Sequence, residues 1–177
     1  MLIKFAVKNF RGFAERIEWD LSHPSNYSFN TYAVKDGVIK NGIIYGPNGS
    51  GKSNFALAIF DIEYHLSVKW KKADYLSNYV YIGNPNSPVE FEYVFKFGND
   101  ILEYRYSKNA SGMLIAESLV ANNKQVFKRE NDVFEIDDDQ FRIDATVKEN
   151  FKQNVNSVSV INFLTASFPF PQDHYIV

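Results

Sequence analysis

Ile43-Ile44-Tyr45-Gly46-Pro47-Asn48-Gly49-Ser50-Gly51-Lys52-Ser53 is the stretch on which the reading of this chain turns. Its last eight residues follow the P-loop pattern of glycine, four residues, then Gly-Lys-Ser, set between an apolar triplet and a helical pattern. Glycines let the backbone curl until successive N–H groups point inward, and a helix beginning there adds the positive end of its dipole. Such a cradle suits phosphate. Lys52 is placed to bridge the β- and γ-phosphates of a nucleotide, and the Ser53 hydroxyl is the kind of oxygen ligand that Mg2+ prefers. Chance supplies the four fixed positions in a chain of this length on the order of one time in a hundred or less.

Upstream, residues 38–45 read as a strand whose unbroken triplet Ile43-Ile44-Tyr45 is buried on both faces of a parallel or mixed sheet. Downstream, Phe55, Ile59, Ile62, Leu66 and Trp70 recur at steps of three or four, which predicts a helix of about five turns buried along that face. Lys69, Lys71 and Lys72 close it, where cations offset the carbonyl end of the dipole. Toward the N-terminus, Ile3, Phe5 and Val7 alternate with Lys4, Ala6 and Lys8. After Arg11-Gly12 a second alternating stretch, 13–21, completes an opening hairpin, and 22–30 is a polar loop.

Beyond a connecting loop at 73–88 the texture changes. Val89, Phe91, Tyr93, Phe95 and Phe97 alternate with Glu90, Glu92, Val94 and Lys96, and the turn Gly98-Asn99-Asp100 leads into further short runs at 101–107, 113–120 and 124–129. These predict an antiparallel meander over 89–137, with Val89, Phe91, Tyr93, Phe95 and Phe97 all facing the core. Residues 141–177 carry no single period, and 158–164 read as a strand or a buried helix. The apolar residues around 158–170 are expected to remain exposed and to drive self-association.

The whole chain narrows the function classes. With 177 residues, 45% of them hydrophobic and 16% aromatic, it can bury one substantial core. A net charge of −2 gives no chain-wide footprint for nucleic acid or anionic membrane, so any such contact is local. With no cysteine there is neither a disulfide frame nor a thiolate zinc site, as suits a cytoplasmic protein. No apolar run approaches the length of a membrane helix, and no membrane partner is expected.

The opening Ile3-Lys4-Phe5-Ala6-Val7-Lys8-Asn9-Phe10-Arg11-Gly12-Phe13, followed by 43–54, resembles the N-terminal lobe of ABC-type ATPases. More narrowly it is similar to the SMC-like AAA-family ATPases, which include the overcoming-lysogenization-defect nucleases and many anti-phage defence ATPases. The resemblance is specific through about Trp70 and architectural beyond it. It implies an α/β P-loop NTPase fold, an ABC-type head lobe with a mixed sheet and an antiparallel β-meander subdomain. It divides 1–177, a single lobe, into a P-loop core with its opening hairpin at 1–72 and the meander at 89–137. It also implies ATP and Mg2+ as cofactors, bound by Asn48, Gly49, Ser50, Gly51, Lys52, Ser53 and Asn54, with Ser53 on the metal and Arg11 beside the nucleotide. The implied partners are a second copy or a partner ATPase half, and nucleic acid for the full-length parent.

Hydrolysis in such ATPases needs four apolar residues ending in Asp-Glu, one carboxylate for Mg2+ and one for the attacking water. Leu57-Ala58-Ile59-Phe60-Asp61 imitates this inside the predicted helix, and Val133-Phe134-Glu135-Ile136-Asp137 alternates like a half-exposed strand. Neither fits, no Ser-Gly-Gly signature follows, and His174 makes no convincing switch histidine. Gln140 and Gln153 are the glutamines available to sense a γ-phosphate. No catalytic residue is assigned. The chain is therefore expected to be the N-terminal piece of a longer ATPase and inactive alone, the alternative being a stand-alone ATP-binding sensor or assembly module.

Overall fold

The alternation at the N-terminus becomes β1 (Leu2–Lys8), which pairs antiparallel with β2 (Ile17–Asp20). The computed structural model describes residues 1–26, 28–67, 73–130, 133–137, 145–146, 148–149 and 158–167. After β2 come a short 3-10 turn (Thr31–Ala33) and a small hairpin of β3 (Val34–Lys35) and β4 (Val38–Ile39). Asp36 and Gly37 join β3 to β4 with φ of 52° and 74°, the doubly left-handed turn that Asp-Gly favours. Helix α1 (Lys52–Leu66) follows the glycine loop, and a single turn, α2 (Ala73–Leu76), precedes the meander.

The meander is β5 (Val89–Phe97), β6 (Asp100–Lys108), β7 (Leu114–Ala121), β8 (Lys124–Glu130) and β9 (Val133–Ile136). It joins the opening hairpin in one seven-stranded sheet of order β2-β1-β5-β6-β7-β8-β9. Every pairing in that sheet is antiparallel. The fold is thus α/β with few helices and a large antiparallel sheet, where the sequence suggested a mixed one.

β5 and β6 pair from Val89↔Lys108 to Phe97↔Asp100 across a turn in which Gly98 has φ of 60°. Val89, Phe91 and Tyr93 are buried as alternation requires. Phe95 is instead half-buried, and Phe97, the last residue of the strand, is about half exposed. Glu92, expected on the solvent side, is buried: Lys4, Arg16 and Arg105 converge on its carboxylate.

One sheet face is covered. Helix α1 crosses it with Ala58, Asp61 and His65 innermost, while Phe55, Ile59, Ile62 and Leu66 flank that line and stay half-buried. The predicted apolar stripe is therefore rotated off centre, because the helix face against the sheet carries two polar residues whose partners lie in β6 and at Tyr75 and Tyr79. Helix α1 also ends sooner than predicted, at Ser67, whose backbone is extended; Trp70 and the lysines at 69, 71 and 72 lie outside the described residues. Aromatic contacts knit the layer, including Phe5 against Phe55 and Tyr93, and Phe91 stacked on Tyr106 at 4.9 Å. Each such side chain stabilises the core by about 1.5–3 kcal/mol through burial.

Helix α3 (Val160–Ser167) adds Val160 and Leu164 to the core. The apolar surface expected around 158–170 is thus partly interior, since Val160 and Leu164 are buried in the core while Val158 and Ala166 are exposed; 168–170 lie outside the described residues.

Candidate functional site

The strand expected to carry the chain into the glycine loop does not form beyond Ile39. Residues 40–47 form no strand, with Ile43 and Tyr45 90% and 91% exposed and Ile44 46% exposed. A parallel strand is stable only between neighbours that cover it, and no described segment runs beside 43–45.

The loop itself is well defined locally. Ser50 N–H donates to the Pro47 carbonyl at 3.3 Å, closing a turn, and Gly49 takes φ of 81°. Gly51 caps α1 with φ of 90°, and no side chain caps the helix. The first helical bond runs from Phe55 N–H to the Gly51 carbonyl, so the N–H groups just before Phe55 keep no intrahelical partner. A cluster of orphan donors at the positive end of a dipole is an anion site in waiting.

Lys52 folds back over this loop. Its ammonium donates to the carbonyls of Gly46 and Pro47, both at 2.8 Å. An ammonium has three donors, so this geometry holds the charge at the loop mouth and leaves one N–H for an anion. Ser53 is exposed on the first turn of α1. Among the described residues no group of three or more acidic or histidine side chains gathers to hold a metal. The Ser53 hydroxyl is the kind of oxygen ligand that fits a hard cation such as Mg2+.

The turn of the opening hairpin forms the neighbouring wall. Phe10 and Phe13 exchange backbone hydrogen bonds of 3.0 and 2.8 Å. A Cβ built on Gly51 would lie 3.0 Å from the Phe13 ring, and one built on Gly12 would lie 3.4 Å from the Asn54 amide nitrogen. Arg11 therefore adjoins in sequence the two residues that meet the loop, but its guanidinium turns aside: it donates to the Tyr75 carbonyl at 2.8 Å and rests on the rings of Phe10 and Tyr75. Asn48 sits on the exposed tip of the loop.

The carboxylates that imitate a hydrolytic strand are elsewhere. Asp61 is wholly buried against the sheet. Glu135 bonds Gln125, and Asp137 pairs with Lys124, at the β9 edge opposite the β1–β2 edge that holds the glycine loop. Gln140, Gln153 and His174 lie outside the described residues.

Sequence reasoning missed two buried polar clusters. In the first, Asp61 Oδ2 accepts the hydroxyls of Tyr75 and Tyr79 at 2.6 and 2.8 Å, and Oδ1 accepts Tyr106 at 2.9 Å and the Lys108 ammonium. Burial pushes the Asp61 carboxyl up, but Lys108 and the tyrosines outweigh it and hold it below its ordinary value. The same burial and the same carboxylate push the Tyr75, Tyr79 and Tyr106 hydroxyls up, so they stay protonated donors.

In the second, Glu117 accepts Tyr104 at 2.7 Å, Arg129 at 2.9 Å and the Val160 N–H that opens α3. His65 Nε2 lies 2.7 Å from the same Tyr104 hydroxyl. Tyr104 spends its single proton on Glu117, so His65 must donate at Nε2. The available signal was register: Leu102, Tyr104, Tyr106 and Lys108 share one face of β6, which places a lysine inside and demands a buried acid.

No protein-family model matches the chain, and no curated protein matches it at a significant level. No helix among the described residues is long and apolar enough to cross a membrane.

Proposed function

We propose that this chain is an ATP- and Mg2+-binding lobe of an ABC- or SMC-like ATPase with a P-loop NTPase fold. The observation that carries the reading is the Lys52 ammonium, held by the Gly46 and Pro47 carbonyls over an uncapped helix N-terminus. In this reading the phosphates lie on the backbone N–H groups of Asn48, Gly49, Ser50, Gly51, Lys52, Ser53 and Asn54, and Lys52 gives its remaining N–H to the outer phosphates. Bound Mg2+ neutralises phosphate charge, with Ser53 as its protein ligand. Arg11 serves through its turn, which walls the loop, since its guanidinium is engaged with Tyr75.

Ile43, Ile44 and Tyr45 support a partner ATPase half or a second copy, because three exposed apolar residues entering a phosphate loop offer a strand for pairing. Coupling to nucleic-acid processing or phage defence, and a cytoplasmic setting, rest on the sequence resemblance alone. A stand-alone module that binds ATP without hydrolysis is the second reading; it is favoured by the placement of Asp61, Glu135 and Asp137 away from the loop.

Two measurements test these readings. Titrating Mg-ATP into labelled protein should shift the amide resonances of 48–54 first, and shifts confined to other regions would overturn the site. Phosphate release by the isolated chain should stay far below an ordinary enzyme rate, on the order of one per second or faster. A rate in that range would show that a water-activating carboxylate is present.

A further inference from the structure

The Asp61 cluster lies more than two turns along α1 from the glycine loop, yet it closes a ring of contacts back to it. Both hydroxyls that Asp61 Oδ2 accepts belong to one segment, Tyr75 and Tyr79. The backbone of that segment holds the hairpin turn: Arg11 N–H donates to the Tyr79 carbonyl at 3.0 Å, and the Arg11 guanidinium donates to the Tyr75 carbonyl at 2.8 Å. Tyr81 N–H donates in turn to the Asn9 carbonyl at 3.1 Å, and Phe10 packs edge-on against Tyr79. The turn then meets the phosphate loop, with Phe13 under Gly51 and Gly12 beside Asn54.

The same helix that starts at the loop therefore carries, at Asp61, the anchor for the segment that fixes the wall of that loop. Asp61 is wholly buried and accepts two donors on each oxygen, about the full capacity of a carboxylate. A saturated buried acceptor fixes the direction of each donor, whereas apolar packing would let the segment slide.

We infer that Asp61 is a positioning residue for the phosphate loop, acting through the Tyr75 and Tyr79 hydroxyls to hold the Arg11-Gly12-Phe13 turn against Gly51 and Asn54. The consequence for nucleotide binding rests on the function proposed above; the consequence for the turn does not. Asp61 touches no ligand in this scheme. It sets the shape of the wall before a ligand arrives, so the cost of ordering the loop is met during folding.

The test uses the double variant Tyr75→Phe/Tyr79→Phe, which removes the two hydroxyls and leaves the Asp61–Lys108 pair and the aromatic packing in place. Amide hydrogen exchange without nucleotide should accelerate at least tenfold at Arg11 and Phe13, while the amides of β6 and β7 keep their protection. Mg-ATP affinity should fall about tenfold, and the chain should still unfold in one cooperative transition at a lowered midpoint, since Asp61 Oδ2 loses both donors. Asp61→Asn should reproduce the local exchange pattern on top of a general loss of protection. Unchanged exchange at Arg11 and Phe13, or acceleration spread evenly over the sheet, would overturn the inference by reducing Asp61 to an ordinary core residue. Absence of Mg-ATP binding by the unaltered protein would instead remove the nucleotide reading, and the exchange result would still decide the role of Asp61.

Discussion

The Lys52 ammonium lies 2.8 Å from the carbonyl of Gly46, so the next-to-last residue of the glycine loop is tied to its first. A flexible side chain immobilised in this way has already lost much of its rotamer freedom, and a phosphate arriving at the loop meets a charge already in position. The loop keeps this form because Gly49 and Gly51 adopt backbone angles that other residues resist.

Gly51→Ala should therefore damage the site locally. Its φ of 90° costs a side-chain-bearing residue about 1–2 kcal/mol, and the new methyl would press on Phe13 at 3.0 Å. The expected result is a small fall in unfolding free energy with a large loss of Mg-ATP affinity. Retained affinity would mean that the loop geometry around Gly51 is not what binds phosphate.

Ile43 and Tyr45 are the most exposed apolar side chains of the segment before the loop. Ile43→Lys/Tyr45→Lys should reduce concentration-dependent self-association measured by light scattering, with little change in unfolding midpoint because neither residue belongs to the core. Equal association by both proteins would place the sticky surface elsewhere.

The meander was legible because period-two alternation needs only neighbouring residues: the phenylalanines and tyrosines of 89–97 announce a strand without any knowledge of its partner. The glycine loop was legible for a similar reason, since its pattern is local. What failed was non-local. Ile43-Ile44-Tyr45 reads as a buried strand, but burial requires neighbours that no described segment provides. The rotation of α1 was hidden because Asp61 and His65 look like surface residues until Tyr75, Tyr79, Tyr104, Tyr106 and Lys108 are brought to them. The β3–β4 hairpin was missed although Asp36-Gly37 marks it, because its two-residue strands are too short to show alternation.

Asp61 also gives the fold an acid-sensitive component. Its carboxyl is held below the ordinary value, so the stability it adds is present above the unfolded value of about 3.9 and is lost as pH falls through the lower folded value. Asp61→Asn removes the buried charge that Lys108 and three tyrosine hydroxyls bond, and should cost about 3–5 kcal/mol at pH 7. Chemical denaturation at stepped pH should show the gap between the two proteins narrowing below about pH 4. A gap that stays constant down to pH 2 would mean that the Asp61 charge does not contribute.

Calorimetric titration of Mg-ATP into the unaltered chain and into Lys52→Ala tests the central claim most directly. Lys52 sits outside the core, so the variant should unfold at nearly the same midpoint while its affinity for Mg-ATP falls at least tenfold. Equal binding by the two proteins, or no binding by either, would contradict the assignment of 46–53 as a nucleotide site.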